Sequence, residues 1–282
     1  MDIPTGEDAL LAIIDRHFPN LPGIGGPARG DDCAVLAGPD ALLVSTDLFF
    51  EDVHFRTGYF LHEEIGHKAL AVNISDIAAM GGRPLHFSMG LGLPQGISLE
   101  FFSSLCSGIA LLAAEHGLFL SGGDLSASER LLLSITITGT YWPETGGNPP
   151  CFLKRAVARP GDAIFCVGAI GLACVGLALL ESRGRAAIGE FPAACAAHLK
   201  PMPLVNGGRC LALAAKASGE ADRFGLMDVS DGLARDLEPL GLTAAPGDVD
   251  LGGVQPDVWE AVVGVDTEVL GLLFVHSGES VI

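Results

Sequence analysis

The residues of this 282-residue chain that could do chemistry are above all its aspartates. Asp32, Asp47, Asp124, Asp228 and Asp231 each fall where a strand-like apolar run meets a glycine- or serine-rich stretch, and Asp76 lies inside an apolar helical run, Lys68 to Gly82. No histidine or cysteine cluster accompanies them. Hard oxygen ligands without nitrogen or sulfur donors select Mg²⁺ over Zn²⁺. Mg²⁺ held by a few carboxylates keeps waters and takes phosphate oxygens as further ligands, so the constellation points to a nucleotide.

Taken singly, each candidate also has a plainer explanation. Asp76 belongs to a run in which Leu70, Ile74 and Ile77 recur at i, i+4 and i+7, with Asn73, Ala69 and Met80 on a neighbouring face. A helix that is apolar nearly all round is buried, and a buried carboxylate demands a partner. That partner is a metal ion, a backbone N–H or an arginine. Asp31-Asp32 reads equally as a solvated turn, and Ser121-Gly122-Gly123-Asp124 as a simple turn or as a close backbone approach that presents a carboxylate to a ligand. Capping of a following helix explains one of Asp228, Ser230 and Asp231, not all three. Ser45-Thr46-Asp47 places three oxygen ligands where a strand, Ala41 to Val44, is expected to open onto a loop, and His54 follows within a few residues. It is either a structural hydrogen-bond donor or a substrate contact.

The elements that must hold these groups follow in order. A short amphipathic helix is expected over Glu7 to Phe18, then a Gly/Pro-rich connection from Pro19 to Gly30. The Lys68 to Gly82 helix ends on a Gly-Gly cap, His86 to Leu93 is the next strand, and Leu99 to His116 is a long apolar helix stopped by Gly117. A short strand, Leu118 to Leu120, delivers the Gly-Gly-Asp segment, and Leu131 to Tyr141 is a further strand. Trp142 to Pro150, rich in Pro and Gly, marks the boundary between a domain 1–145 and a domain 146–282. Beyond it the pattern gives a buried strand over Ala163 to Val167 and helices over Leu172 to Glu181 and Leu204 to Ala217, the last despite its Gly207-Gly208 pair. The strand Gly225 to Val229 then leads to a helix through Leu240, and strand-like runs follow at Val249 to Leu251 and Val269 to Val275.

Composition narrows the partners. The chain is long enough for two domains, and hydrophobic residues make up 49% of it, enough for a real core in each. With 34 acidic against 16 basic residues the net charge is −18, which repels a phosphate backbone and leaves nucleic acid an unexpected partner. Phosphorylated small molecules remain accessible through bridging cations. No apolar run approaches the roughly 20 residues of a membrane span. Asp2, Glu7, Asp8 and Asp15 interrupt the one candidate signal segment, so no membrane partner and a cytoplasmic location are expected. The 7 cysteines show neither a CxxC pair nor metal-ligand spacing and read as small core residues.

Several segments, in this order and spacing, carry a resemblance: GDDCAVL, STDLFFEDVHF, KALAVNISDIAAMGGRP, SGGD, KRAVARPGDAIF and MDVSDGL. Together they resemble the thiamine-monophosphate kinase family of the aminoimidazole ribonucleotide synthetase-like superfamily. The resemblance runs from about Gly30 to Leu237. It implies an α/β (α+β) two-domain fold whose N-terminal sheet builds a barrel shared by a homodimer, followed by a C-terminal α/β sandwich. It implies transfer of the γ-phosphate of ATP onto thiamine monophosphate with several Mg²⁺ ions. By position it assigns metal roles to Asp32, Ser45, Thr46, Asp47, Asp76, Asp124, Asp228 and Asp231. Nucleotide contacts are implied for Gly123, Asp124, Arg155 and Ser230, and substrate contacts for His54 and Glu279, the latter in Ser277-Gly278-Glu279-Ser280 where the family has Gly-Gly-Glu-Asp-Tyr. The tail departs from the family pattern, so the C-terminal domain is expected to be shortened. Two alternatives follow: another ATP-using member of the superfamily with a different acceptor, or a protein that binds Mg²⁺–ATP without turnover.

Overall fold

In a computed structural model, residues 7–18, 41–147, 150–155, 163–169, 171–230, 236 and 272–276 are described. Their chain forms two compact units, Met1–Ile74 with Pro84–Thr140, and Ser75–Arg83 with Tyr141–Ile282. This division falls a few residues before the expected boundary, and it gives the last turn of one N-terminal helix to the second unit.

The first unit is built on a sheet of order β1-β4-β2-β3, formed by Leu43–Phe50, Leu132–Thr140, Arg83–Leu93 and Phe119–Ala127. Strands β1 and β4 run antiparallel, β2 and β3 parallel. Alternation along β4 buries Leu133, Ile135 and Ile137, and Phe87, Met89 and Leu91 of β2 are buried as well. Helices α1 (Glu7–His17), α3 (Leu99–Glu115) and most of α2 (His62–Ala79) accompany it among the described residues. Ile65, Leu70 and Ile74 of α2 and Phe102, Leu105, Ile109 and Leu112 of α3 are fully buried, each side chain stabilising the core by about 1.5–3 kcal/mol. The two helices cross almost backbone to backbone: a Cβ on Gly66 would overlap the Leu105 carbonyl oxygen, and one on Gly108 the Glu63 carbonyl oxygen. Ser98 starts α3, its Oγ accepting from Phe101 N at 3.0 Å, and Gly117 at φ +65° ends it.

The expected helix at Lys68 begins earlier, at His62. Its first turn is charged rather than apolar: Glu63 and Glu64 complement the exposed N–H groups there, and the Glu64 carboxylate accepts from Leu61 N at 2.7 Å. The C-terminus matches, with Gly81 at φ +67° and Gly82 N reaching back to the Ile77 carbonyl at 2.9 Å. Strand β1 does not stop before Ser45. Its ladder with β4 runs from Leu43↔Gly139 to Phe50↔Leu132, so Ser45, Thr46 and Asp47 lie mid-strand. Nor is Gly122-Gly123-Asp124 a turn. It is the middle of β3, which passes a register irregularity opposite Phe87 and Ser88 and continues to Ala127.

The second unit has a sheet of order β5-β7-β6, from Ala163–Val167, Leu272–His276 and Gly225–Asp228, with β7 antiparallel to both neighbours. Helices α4 (Leu172–Arg183), α5 (Pro192–Leu199) and α6 (Val205–Ser218) accompany it. One cluster of its core comprises Ala79, Leu153, Ala212, Ala215, Phe224 and Leu226. Gly208 is tolerated inside α6 because a Cβ there would strike the Ala78 carbonyl. The expectation that β5 is buried fails: Phe165 is 53% exposed, and Val167, two residues on and so on the same side of the pleat, is exposed too. An apolar run five residues long carries no sign of which face is covered, and among the described strands β5 stands at the edge of its sheet.

Candidate metal and nucleotide site

Two elements of the second unit converge on carboxylates. Asp76 sits in the last turn of α2, and Asp228 is the last residue of β6, a strand whose four residues are all buried. Asp228 itself is only 3% exposed. Burial, reinforced by the Asp76 carboxylate and further by Asp236, pushes the Asp228 carboxyl up to about 7; the Arg155 guanidinium opposes that rise. Arg155 Nη2 lies 3.4 Å from Asp228 Oδ1, a single long contact from a half-exposed side chain. Ser230 follows one residue past Val229, and its N–H donates to Asp236 Oδ2 at 3.0 Å.

These residues fit a divalent cation. Among the described residues the buried Asp228 carboxylate faces two further carboxylates, Asp76 and Asp236, with Arg155 as the cation beside it, and the donors on offer are hard oxygens. Among the described residues no three of the His, Cys, Asp and Glu side chains form a metal cage by themselves. Asp32, Asp231 and Glu279 lie outside the described residues.

The first unit presents its candidates separately. Along β1, Ser45 and Asp47 share one side of the pleat and Thr46 points to the other, where its Oγ1 is 2.9 Å from Thr136 Oγ1. The three side-chain oxygens therefore do not converge, contrary to the loop expected there; a joint ligand role would have to include backbone carbonyls. On β3, a Cβ on Gly123 would overlap the Met89 carbonyl oxygen, so the parallel pairing with β2 requires glycine. Asp124 beside it is exposed, held by Ser126 Oγ donating to Oδ2 at 3.1 Å.

His54 closes the turn after β1. Its Nδ1 accepts from Phe50 N at 2.9 Å, which leaves Nε2 to carry the proton of the neutral ring, and the ring stacks on Phe49 at 5.5 Å. The turn is fixed by Asp52 at φ +64°, paired with Arg130 Nη1 at 3.2 Å. His54 is thus built as a structural acceptor and as an Nε2–H donor at once.

Two neighbours of these groups were not singled out in the sequence. Asp236 is one; its only signal is a further aspartate after the Asp228-Val229-Ser230 segment. Lys68 is the other, 2% exposed on α2 with Nζ 5.9 Å and 5.7 Å from the Phe49 and Phe60 ring centroids. A lysine so deeply buried, its charge facing the two rings, is legible only once the helix is placed. The cysteines behave as core residues where they are buried, with the Cys106 thiol pushed up to about 12 by burial.

The class is an α/β protein with carboxylates gathered at a helix end, Asp76, and a strand end, Asp228. Residues 30–141 match the family described as AIR synthase related protein, N-terminal domain. The chain is 35% identical over 216 residues to the thiamine-monophosphate kinase of Bacillus subtilis (strain 168), covering 75% of this chain and 62% of that one. It is 32% identical over 262 residues to that of Corynebacterium glutamicum, covering 89% and 72%. The crystal structure of thiamine-monophosphate kinase from Stenotrophomonas maltophilia K279a superposes with a TM-score of 0.71 at 26% identity, covering 97% of this chain and 86% of that one. The chain belongs to the thiamine-monophosphate kinase family. It spans 62% and 72% of the lengths of the two curated relatives.

Proposed function

We propose that this protein transfers the γ-phosphate of ATP onto thiamine monophosphate, giving thiamine diphosphate, by direct in-line displacement with Mg²⁺. The observation that carries the reading is the buried Asp228, with the Asp76 carboxylate and the Arg155 guanidinium beside it, in a chain of this family. The acceptor phosphate is already anionic near neutral pH, so no strong general base is required. The difficulty is bringing two polyanions together. At about 4 Å each unit-charge pair repels by ~1 kcal/mol in water and ~4 kcal/mol at an effective dielectric of 20. Mg²⁺, when bound, offsets that repulsion.

In this reading metal roles fall to Asp76 and Asp228 in the second unit, to Ser45, Asp47 and Asp124 in the first with Thr46 acting through its backbone carbonyl, and to Asp32 and Asp231. Gly123, Asp124, Arg155 and Ser230 meet the nucleotide. Gly123 offers its backbone to the nucleotide, and Arg155 offers a planar fork to phosphate oxygens. His54 donates Nε2–H to the substrate, and Glu279 contacts it. Residues 1–145 form a metal- and nucleotide-binding and dimerisation domain, and residues 146–282 the C-terminal domain. A homodimer is supported by the exposed apolar residues at β1, which stands at the sheet edge among the described strands: Val44, 65% exposed, and Leu48 in the strand, and Leu42 just before it. A net charge of −18 argues against nucleic acid. Among the described residues no helix is long and apolar enough to cross a membrane, and a cytoplasmic setting suits a nucleotide-using enzyme.

Calorimetry with Asp76→Asn tests the metal assignment. A ligand role predicts that Mg²⁺-dependent ATP binding is lost while the melting temperature stays within a few degrees. Unchanged Mg²⁺–ATP binding would refute the assignment.

A further inference from the structure

We propose that Arg155 is the resident counter-ion of Asp228 before metal arrives, and that metal binding displaces it toward the nucleotide phosphates. The inference rests on the reading that Asp228 is a metal ligand. Arg155 is aimed by its backbone. Lys154 bridges to Gly225, and Leu226 N donates to the Lys154 carbonyl at 3.1 Å, so Arg155 leaves the chain beside the strand that ends in Asp228.

The contact has the form of a placeholder. A strong Arg–carboxylate pair is frequently bidentate, at roughly 2.7–2.9 Å. Here one nitrogen stands 3.4 Å from one oxygen, and the arginine side chain is half-exposed while the carboxylate is buried. A divalent cation brings twice the charge to the same oxygen with a shorter contact, so it outcompetes the guanidinium. Released, the guanidinium keeps its N–H donors and its anchored backbone, within a side chain's length of the metal and of any phosphate on it. One residue thereby couples the two ligands with opposite signs. It competes with Mg²⁺ alone and assists Mg²⁺ with nucleotide.

The test follows the Nε–Hε signal of Arg155 by NMR in the ¹⁵N-arginine-labelled full chain, assigned with Arg155→Lys, during Mg²⁺ titration without nucleotide. The proposal expects the signal to shift and to exchange faster with water, saturating with the calorimetric Mg²⁺ isotherm. It also expects Arg155→Met to bind Mg²⁺ alone about two- to fivefold more tightly, the range of a partly exposed ion pair, and Mg²⁺ with a non-hydrolysable ATP analogue more weakly. Mg²⁺ binding with an unmoved Arg155 signal would overturn the displacement while leaving the metal reading intact. Mg²⁺ binding that is absent, or that survives Asp228→Asn, would overturn both.

Discussion

Replacing Asp228 with Asn should make the metal-free protein more stable and abolish the proposed metal binding. The ordinary value of this carboxyl is 3.8 and the folded value about 7. The folded state therefore holds the proton more tightly than the unfolded chain does. Stability is complete below pH 3.8, is lost as pH rises from there through about 7, and stays at its lower level above that. Roughly three pH units at 1.36 kcal/mol each give a penalty of about 4 kcal/mol at pH 8. Asn keeps the shape and cannot ionise, so it removes that penalty. Loss of the long, half-exposed Arg155 contact takes back at most about 1 kcal/mol. For a unit of this size the balance corresponds to a rise of roughly 5–10 °C in melting temperature. The assay is thermal unfolding in EDTA from pH 4 to pH 8.5, repeated with Mg²⁺. The difference should vanish near pH 4 and grow through pH 7. Mg²⁺ at about 100 times its Kd should raise wild-type stability by about 2.7 kcal/mol and leave the variant unmoved. A variant that melts lower than wild type at every pH would show that Asp228 is a structural hydrogen-bond acceptor.

Burial lowers the values of His86 and His116, and of His17 with help from Arg16, so the folded first unit favours the neutral rings. Stability carried by these rings is complete above pH 6.5 and is lost as pH falls from there through the lowered folded values, so melts from pH 7.5 to 5 should show a decline that His86→Gln partly flattens; equal slopes in both proteins would contradict this. Gly108→Ala should cost about 3 kcal/mol in denaturant unfolding, because the new methyl meets the Glu63 backbone, whereas Gly58→Ala, with open space around it, should lie within ±0.5 kcal/mol.

Much of this was legible beforehand because periodicity and punctuation agree. The apolar repeat of α2 with its Gly81-Gly82 end, the apolar run of α3 stopped by Gly117, and the alternation of β4 each make one structure cheaper than its rivals. The misreadings share a cause. Ser45-Thr46-Asp47 and Gly122-Gly123-Asp124 have the composition of loops, and only pairing with β4 and β2, formed by residues distant in sequence, holds them in strands. Gly123 is required by a neighbouring carbonyl, a close approach that no local pattern announces. Asp76 and Asp228 were readable as candidates, since a carboxylate amid apolar residues demands a partner. That Asp228 is opposed by Asp76 and Asp236 and answered by Arg155 depends on tertiary contacts, and only the fold reveals it.

The central claim is phosphoryl transfer to thiamine monophosphate, and the most direct measurement is chromatographic detection of thiamine diphosphate from the purified chain, ATP, Mg²⁺ and thiamine monophosphate, with Asp76→Asn as control. The account predicts product from the wild type, none without Mg²⁺ and none from the variant. Absence of product from wild type that binds Mg²⁺–ATP would contradict it and leave a nucleotide-binding protein with another acceptor or no turnover.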